Sequence, residues 1–590
     1  MSNQESQGKK PAWTPIIDKE TNLPVPGRWQ DPNGYVVNKC MATGELSVFS
    51  PESDTPLHTS TDRNVILRCI EEHLAEEEDH EAIKHLSVPP GMKLDDFHPD
   101  TEEQAKITNY KGSNLVVVAF AGTGKTTTLI KYALKNPTLR ILYVAYNRAI
   151  AEESTHKFPS NVVCMTAHSL AYHSLGKEYR HKLQNNLRLN DIIDLFEMDR
   201  NAEGVYDVAS EILIGLNNFI SSSDSKPDTW HLAEFGKKIS YSPYWKEKAK
   251  HQLYLIEEVW RQMSDLDSDF PITHDGYLKL YQLSKPNLAL RFGAILLDEA
   301  QDTTPAVASL VMMQDLASIL VGDPHQQIYR FRGAEDSLSS DFTEGADRLY
   351  LTNSFRFGPN VAMVANALLA NKGEMRKVIG RGGLDEVLFA LPNEFEGQVS
   401  QLSRTVMGVI ESAAEAASRQ KKVYWVGGKS SYQVGDAMDV YYLSAGKRSK
   451  IQNKKLASEF RNFEEYKVAA ENTRDPEMAK AARMVSTYGE SLPALLRRLD
   501  QLTVERIEEA DIVVCTAHRS KGLEFETVVL SEDFPYLFDK FYKDKPELFD
   551  DEINLLYVAV TRALKRLVIN SIVETFIRAR VMDQAAQKPM

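Results

Sequence analysis

The sequence predicts an α/β protein made of two lobes, each with a parallel β-sheet and each interrupted by a mainly helical insertion. Short runs of apolar, mostly β-branched residues recur along the chain, which is typical of strands buried on both faces of a parallel sheet. Most runs end in a polar or Gly-rich turn, and segments with helical spacing follow several of them. The runs fall into two clusters, which predicts two sheets.

The strands are predicted from these runs in chain order. They are Leu115–Phe120, Ile141–Tyr146, Val162–Thr166, Ala294–Asp298, Ile319–Asp323, Leu349–Thr352, Val423–Val426, Ile512–Thr516, Val528–Glu532 and Leu567–Ile572. Helical spacing follows at Thr127–Leu134 and at Pro359–Leu369. The alternation of strand, loop and helix is the reason for expecting parallel sheets with helices packed against them.

Stretches without such runs set the expected domain boundaries. We expect an N-terminal extension at 1–95, a first lobe at 96–170 and 286–350 with its helical insertion at 171–285, a second lobe at 351–429 and 510–575 with its helical insertion at 430–509, and a tail at 576–590. Within the extension, the acidic segment Ile70–Leu86 has helical spacing and is expected to be a solvated face. The second insertion carries a basic cluster: Lys447, Arg448, Lys450, Lys454 and Lys455.

Composition narrows the class of protein. Of 590 residues, 43% are hydrophobic and 26% charged, which excludes a collagenous, coiled-coil or wholly disordered chain. The longest apolar stretch is far shorter than a membrane span, and the first ten residues show no secretion signal. Four cysteines without CxxC pairing argue against a disulfide scaffold or a structural zinc site and favour a reducing compartment. The net charge of −14 argues against a surface that coats nucleic acid throughout, yet it leaves a local basic groove open.

The strongest motif is LVVVAFAGTGKTTTL, which begins at Leu115 and reads as strand, glycine-containing loop and helix. Backbone N–H groups of such a loop, with the helix N-terminus, bind phosphate. Lys125 is expected to reach the β- and γ-phosphates of a nucleotide and Thr126 to bind Mg²⁺. The usual pattern begins with Gly where this chain has Ala119, and a turn that merely closes a strand–helix unit is the alternative. The residues expected to bind the nucleotide here are Ala121, Gly122, Thr123, Gly124, Lys125, Thr126 and Thr127.

Two further strand ends carry polar side chains suited to hydrolysis. In AILLDEAQD, Asp298 can hold Mg²⁺ and Glu299 can take a proton from an attacking water; acidic residues at a helix start are the alternative. In ILVGDPHQQIYRFRGA, Gln326 suits the sensing of a γ-phosphate. The aromatic and basic residues that follow suit stacking on bases and pairing with phosphates, although a core aromatic pair with solvated arginines is equally compatible. These residues are Tyr329, Arg330, Phe331 and Arg332.

The ordered motifs from about Phe97 to Ile572 resemble superfamily 1 helicases of the UvrD/Rep type. The run LYVAYNRAIAEES and the compact second insertion most resemble the F-box DNA helicase branch, although no F-box is evident. The resemblance implies two RecA-like lobes of the P-loop NTPase fold that use ATP and Mg²⁺. It assigns phosphate, magnesium, base and γ-phosphate roles to Lys125, Thr126, Asp298, Glu299 and Gln326.

The resemblance also implies roles for residues that the patterns alone do not assign. In FHPDTEEQ, Gln104 would contact the adenine edge, and in LTNSFRFGPN, Phe355 would stack on adenine while Arg356 reaches the γ-phosphate. The family more often has Tyr at the position of Phe355. In NLLYVAVTRA, Arg562 would act as an arginine finger from the second lobe.

Nucleic-acid contacts are implied on both lobes. TAHRSKGLEFETVVL would place Thr516, His518 and Lys521 on the strand and Glu524 on the nucleotide side, and VCMTAHSLAY would place Thr166 and His168 on the strand. A helix-cap or core role is the alternative for both histidines. The family usually has an aromatic residue where this chain has Ala145, so a base pocket built by that aromatic is shifted to Tyr146 or absent.

These features predict an ATP-dependent DNA helicase that moves on single-stranded DNA, 3′→5′ by resemblance, and unwinds duplex junctions or displaces proteins in DNA repair or recombination. The alternative is a nucleic-acid-gated ATPase that recruits partners or senses invading DNA without productive unwinding. An RNA-directed motor is a third reading. We expect no membrane contact, and a protein partner would bind through residues 1–95 or 430–509. The expected location is the cytoplasm, near the nucleoid, in a bacterium or virus, and the nucleus in a eukaryote.

Overall fold

A computed structural model describes residues 14–17, 24–30, 35–41, 43–49, 58–60, 63, 93–200, 202–232, 243–330, 336–392, 395–432, 434, 437–473 and 476–586. The predicted acidic segment Ile70–Leu86 lies outside these residues, as do Phe331 and Arg332. Among the described residues, no helix has both the length and the apolar character needed to cross a bilayer.

The strands of the described residues are numbered in chain order. They are β1 (Thr14–Ile17), β2 (Pro24–Gln30), β3 (Val36–Lys39), β4 (Leu46–Phe49), β5 (His58–Ser60), β6 (Asn114–Ala119), β7 (Ile141–Ala145), β8 (Val162–Thr166), β9 (Leu183–Gln184), β10 (Ile272–Thr273), β11 (Ala294–Leu297), β12 (Ala317–Gly322), β13 (Asp347–Leu351), β14 (Asn353–Ser354), β15 (Ile379–Gly380), β16 (Glu386–Leu388), β17 (Val399–Ser403), β18 (Val423–Trp425), β19 (Ile512–Thr516), β20 (Phe525–Leu530) and β21 (Ala563–Val568).

Two six-stranded parallel sheets form the two lobes, which confirms the predicted α/β fold class. The first sheet has the order β13-β6-β12-β11-β7-β8, and the second has the order β16-β21-β20-β17-β19-β18. Strands β6, β11 and β12 are adjacent in the first sheet, so the polar residues that follow them meet at one edge. This arrangement follows the rule that ligands of open α/β sheets bind beyond the carboxyl ends of the strands.

Helices cover the sheets and build the insertions. In the first lobe they are Glu102–Thr108, Lys125–Lys135, Arg148–Lys157, Ala167–Ser174 and Pro305–Met312, and in its insertion Leu189–Leu195, Val205–Ser221, Pro243–Ser264 and His274–Leu283. In the second lobe they are Pro359–Ala370, Val406–Ser418, Lys540–Lys543, Pro546–Val560 and Ser571–Ala586, and in its insertion Ala437–Ser444, Lys454–Glu459, Phe463–Thr473, Pro476–Tyr488 and Leu492–Leu502.

The N-terminal region contains a sheet that the sequence did not predict. Strands β1 to β5 form an antiparallel meander, and Val37 and Val48 are fully buried in it. Each strand spans three to seven residues, and Pro and Gly interrupt the sequence between and within them. Such short alternating segments resemble ordinary loops when only long apolar runs are counted as strands.

Candidate functional site between the lobes

The phosphate-binding loop lies between β6 and the helix Lys125–Lys135. Gly122 and Gly124 have φ angles of 73° and 77°, in the left-handed region that favours glycine. A Cβ atom on Gly122 would lie 2.5 Å from the Cβ of Arg356, so only glycine fits between the loop and the second lobe. Gly124 is the N-cap of the helix. The loop therefore presents backbone N–H groups and a helix N-terminus, which together suit a bound phosphate.

The two carboxylates predicted after β11 lie beside this loop. The Nζ atom of Lys125 is 2.8 Å from Oε1 of Glu299, and the hydroxyl of Thr126 donates to Oδ2 of Asp298 over 3.4 Å. Tyr143 donates a second hydrogen bond to the same Asp298 oxygen, at 2.8 Å. Glu299 has a φ of 51°, a strained backbone conformation for a residue with a side chain. The structure thus brings both predicted carboxylates to the phosphate-loop lysine.

Burial and charge act differently on the two carboxylates. Burial raises the pKa of Asp298, and the neighbouring charge of Glu299 raises it further. Burial alone would also raise the pKa of Glu299, but the charges of Lys125 and Lys521 hold it well below its ordinary value. Glu299 is therefore ionised. The raised pKa of Asp298 disfavours its ionised form, and a divalent cation nearby would stabilise that form.

The oxygen donors at this point fit Mg²⁺. The Thr126 hydroxyl and the Asp298 carboxylate are hard oxygen ligands, and Mg²⁺ is usually held by one or two carboxylates together with nucleotide phosphates. Their separation of 3.4 Å places both within reach of one ion. The expected metal site at Thr126 and Asp298 is thus compatible with the donors present.

Two arginines from the second lobe face the same cleft. Arg562 is 1% exposed, and its Nη2 donates to Oε1 of Gln326 over 3.5 Å. Its burial and the charge of Arg356 lower the pKa of Arg562 to about 9. Arg356 donates from Nε to Glu524 at 2.7 Å. Arg562 therefore contacts the first lobe across the cleft, whereas Arg356 pairs with Glu524 of its own lobe, beside the phosphate loop.

The predicted adenine-side residues flank the opposite end of the loop. Gln104 is buried, its Oε1 accepts from the Thr101 backbone, and its Nε2 donates to the carbonyl of Thr123 over 3.5 Å. Phe355 is 49% exposed, and its backbone N–H donates to the carbonyl of Gly122 at 2.8 Å. An exposed aromatic ring beside the loop is available for stacking on a base.

A cavity of about 690 Å³ has walls from both lobes. Predicted strand-binding residues from both lobes line it, namely Tyr329, Thr516 and His518. The ring of Tyr146 is stacked on that of Tyr329, with a centroid distance of 5.9 Å and an interplanar angle of 14°. Tyr146, the aromatic residue that follows Ala145, therefore contacts Tyr329 of the motif ILVGDPHQQIYRFRGA.

Thr166 and His168 lie away from this cavity, at the edge strand β8. Thr166 is the N-cap of the helix Ala167–Ser174, and its side chain accepts from the N–H of Ser169 at 3.0 Å. The ring of His168 pairs with Asp275 of the first insertion at 2.8 Å and is 43% exposed. Thr166 therefore has a local capping role in this structure, whereas His168 keeps an exposed ring.

Lys521 is one of the residues expected to touch nucleic acid. Its side chain is 10% exposed and forms an ion pair with Asp302, whose side chain is fully buried. Its Nζ also donates to the carbonyl of Gln326 at 2.8 Å and lies 3.8 Å from Glu299. The buried carboxylates attract the ammonium into the nucleotide side of the cleft. The described contacts of Lys521 therefore lie on the nucleotide side of the cleft, and its contact with nucleic acid stays a prediction.

Sequence reasoning missed residues that the structure places at these sites. Arg404 and Arg519 line the cavity, and Arg404 is held by Glu552 through hydrogen bonds of 2.7 to 3.0 Å. Tyr557 belongs to the second lobe, and its hydroxyl bonds to Ala121 and Asp323 of the first lobe. Arg404 follows β17, a strand that was not predicted, so its position at a strand end could not be recognised. Tyr557 lies inside the motif NLLYVAVTRA and could have been singled out as its one buried polar aromatic.

Comparisons with known proteins agree with this geometry. The family model of the UvrD/REP helicase N-terminal domain matches residues 100–347, and that of the UvrD-like helicase C-terminal domain matches residues 393–574. F-box DNA helicase 1 from Gallus gallus is 36% identical over 528 residues, which cover 82% of this chain and 51% of the relative. F-box DNA helicase protein 1 from Schizosaccharomyces pombe is 32% identical over 512 residues, covering 80% and 57%. DNA helicase IV from Escherichia coli is 24% identical over 332 residues, covering 47% and 48%.

The chain spans about half the length of these curated relatives. The matched regions contain five of the six strands of each parallel sheet, together with the phosphate loop, the carboxylates after β11 and Arg562. Arg356, β16 and most of β13 lie between the two matched regions. Fold, motif order and sequence similarity thus point the same way: the chain belongs to the UvrD/Rep-like helicase family.

Proposed function

We propose that this chain is an ATP-driven motor that moves along single-stranded DNA and separates a duplex in its path. The observation that carries the proposal is the meeting of Lys125, Glu299 and Gln326 of the first lobe with Arg356 and Arg562 of the second in one cleft. A nucleotide in that cleft would contact both lobes. The fit of the residues to a triphosphate, and the family to which the chain belongs, support this proposal.

The roles of the residues follow from their positions. The loop amides and Lys125 would bind the β- and γ-phosphates, and Gln104 and Phe355 would hold the base. Glu299, ionised beside Lys125, would accept a proton from the attacking water. Mg²⁺, when held by Thr126 and Asp298, neutralises charge on the phosphates. The remaining polar residues of the cleft would then orient the water and the γ-phosphate.

Movement follows from the different contacts made before and after hydrolysis. Arg356 and Arg562 gain a charged partner when a γ-phosphate is present and lose it when the phosphate leaves, so nucleotide state biases the lobes between closed and open arrangements. The cavity that would hold the strand is lined by Tyr329 of the first lobe and by Thr516 and His518 of the second. A change in the angle between the lobes therefore changes the spacing of the strand contacts, which is the basis of stepping.

The polynucleotide, the direction and the biological setting are further parts of the proposal. Aromatic stacking at Tyr146 and Tyr329 suits unpaired bases of any sequence. DNA as substrate and 3′→5′ movement are proposed from the family, and so is a role in repair or recombination. The motor would act where the host's DNA lies, in the nucleus or at the nucleoid.

Lys125→Ala tests the nucleotide site. The variant loses the ammonium group that would bind the β- and γ-phosphates, so ATP hydrolysis should fall to background while the fold persists. Lys135→Ala is the matched control, because Lys135 lies at the other end of the same helix and pairs with Asp100 at 3.1 Å. ATP hydrolysis by Lys125→Ala at the wild-type rate would refute the assignment of the loop.

A strand-displacement assay tests the motor itself. Wild-type protein is incubated with ATP and duplexes carrying a 3′ tail, a 5′ tail or blunt ends, each made of DNA and of RNA. Release of the displaced strand only from 3′-tailed DNA is the expected result. ATP hydrolysis stimulated by single-stranded DNA, with release from none of the duplexes, would favour the gated ATPase without unwinding and overturn the proposed helicase activity.

A further inference from the structure

A buried tyrosine joins the two lobes at a point that the motifs do not explain. Tyr557 lies in the helix Pro546–Val560 of the second lobe and is fully buried. Its hydroxyl accepts a hydrogen bond from the backbone N–H of Ala121, at the phosphate loop, over 3.1 Å. The same hydroxyl donates to Oδ2 of Asp323, which follows β12, also at 3.1 Å. One phenol group thus connects two segments of the first lobe to a helix of the second.

Asp323 in turn fixes the amide of Gln326. The Nε2 atom of Gln326 donates to Oδ2 of Asp323 at 2.8 Å, the same oxygen that accepts from Tyr557. The N–H of His325 donates to the other oxygen of Asp323 at 3.1 Å. With its amino group engaged, Gln326 presents Oε1 to the cleft, where it accepts from Arg562 over 3.5 Å. The orientation of this carboxamide therefore depends on Asp323.

The orientation of the Gln326 carboxamide matters because its two ends have opposite hydrogen-bonding roles. Oε1 accepts hydrogen bonds and Nε2 donates them, so only the oxygen end can accept from an attacking water. A glutamine that orients water needs its amino group held elsewhere, and Asp323 holds it. Burial raises the pKa of Tyr557 well above its ordinary value, so the phenol keeps its proton and remains a donor to Asp323.

The same helix also reaches the strand cavity. Asp551, Glu552 and Leu555 line that cavity, and Asn554 donates to the carbonyl of Gln327 at 2.9 Å. The helix Pro546–Val560 therefore carries residues that line the cavity and also Asn554, which contacts the segment of Gln326. A displacement of this helix by a bound strand would move the hydroxyl of Tyr557 relative to Asp323.

We propose that Tyr557 is a positioning residue that couples strand binding to ATP hydrolysis: through Asp323 it sets the orientation of Gln326, and through its helix it responds to the polynucleotide in the groove. The inference rests on the proposed function, because it assigns Gln326 to the γ-phosphate and the groove to a strand. It adds a residue and a route that act on the rate of hydrolysis rather than on nucleotide binding.

Tyr557→Phe tests the inference, because it removes one oxygen and keeps the ring that packs between the lobes. We expect kcat for ATP at saturating single-stranded DNA to fall by roughly 10- to 100-fold, as for a small misplacement of a reacting group. The KM for ATP and the affinity for a fluorescent oligonucleotide should stay within about twofold. The stimulation of kcat by DNA should fall towards one. A purely structural role would instead lower thermal stability and leave these ratios unchanged.

Two comparisons make the test decisive. Tyr179→Phe is the matched control, because Tyr179 is also buried and its hydroxyl donates to the backbone carbonyl of Ser264 at 2.8 Å, within the first insertion. It should leave kcat and DNA stimulation unchanged. Asp323→Asn combined with Tyr557→Phe should be scarcely slower than the slower of the two single variants, as for residues that act as a unit.

The possible failures are distinguishable. Wild-type kcat and DNA stimulation in Tyr557→Phe, with a wild-type protein that hydrolyses ATP, would overturn the coupling role alone. Fully multiplicative effects of the two substitutions would also overturn it, because Tyr557 and Asp323 would then act separately. A wild-type protein that neither hydrolyses ATP nor responds to DNA would overturn the proposed function itself.

Discussion

Lys521 is a cation whose removal should be especially costly. It pairs with Asp302, whose side chain is fully buried, and it lies 3.8 Å from Glu299. The second carboxylate oxygen of Asp302, Oδ1, finds no hydrogen-bond partner within the described part of the chain. Lys521→Met keeps most of the aliphatic stem and removes the charge. The variant therefore leaves the carboxylates of Asp302 and Glu299 with Lys125 as their remaining close lysine.

The structure sets both the size and the pH dependence of the effect. Breaking a buried ion pair by removing one partner costs about 3–5 kcal/mol, because the other charge stays buried. Burial raises the pKa of Asp302 from 3.8 to about 6 even with Lys521 present. A group whose pKa is raised by folding stabilises the fold fully below its unfolded value, and that contribution is lost as the pH rises through about 6. The difference between 3.8 and about 6 corresponds to about 3 kcal/mol.

Without Lys521 the pKa of Asp302 rises further, so the cost of the substitution should be larger at pH 8 than at pH 5. Thermal unfolding of wild type, Lys521→Met and Lys521→Met/Asp302→Asn is measured at both values. At pH 8 the single variant should unfold roughly 6–20 °C below wild type, and the added Asp302→Asn should restore most of the loss. Lys565→Met is the control, because Lys565 and Glu526 form an exposed pair. Equal unfolding temperatures for wild type and Lys521→Met at pH 8 would refute the reasoning.

Three further predictions concern the nucleotide and the strand. Arg562→Ala should lower the rate of ATP hydrolysis by a factor of ~10³–10⁵ while a fluorescent ATP analogue still binds, and an unchanged rate would exclude an arginine finger. Tyr329→Ala should weaken binding of single-stranded DNA by ~1–3 kcal/mol, whereas Tyr329→Phe should bind like wild type, as measured by fluorescence anisotropy. Arg404→Ala should reduce the slope of log affinity against log salt concentration by about one, and an unchanged slope would show that Arg404 contacts no phosphate.

Strands with long apolar runs were predictable, whereas β17, whose short apolar pattern is broken by two buried serines, was not. Strand β6 was predicted at Leu115–Phe120 and lies at Asn114–Ala119, and β11 was predicted at Ala294–Asp298 and lies at Ala294–Leu297. Strand β17 was missed because Ser400 and Ser403 interrupt its apolar pattern, although both are buried. The hydroxyl of Ser403 is 2.9 Å from that of Ser531, so hydrogen bonding within the sheet compensates the buried oxygen.

The candidate site shows the same limit. Spacing and strand ends were sufficient to locate Lys125, Asp298 and Glu299, because the sheet order brings the ends of β6 and β11 to one edge. The direction in which Lys521 points could not be predicted from its motif. That direction depends on the buried carboxylate of Asp302, which lies 219 residues away in sequence. Long-range charge pairing of this kind leaves no local pattern.

An exchange of carboxylates for phosphates as partners of the same cations would explain how a chain with a net charge of −14 can bind the proposed polyanionic substrates. In the cleft, Glu299 holds Lys125 and Glu524 holds Arg356, at the positions where phosphates are expected. In the groove, Glu552 holds Arg404 in the same way. These carboxylates keep the cations oriented before any ligand arrives. Their release offsets part of each phosphate contact, so binding energy depends on the difference between two anions and not on the full charge of the cation. A small change in lobe angle can therefore decide which anion each cation holds, and this sensitivity is what a nucleotide-driven motor needs.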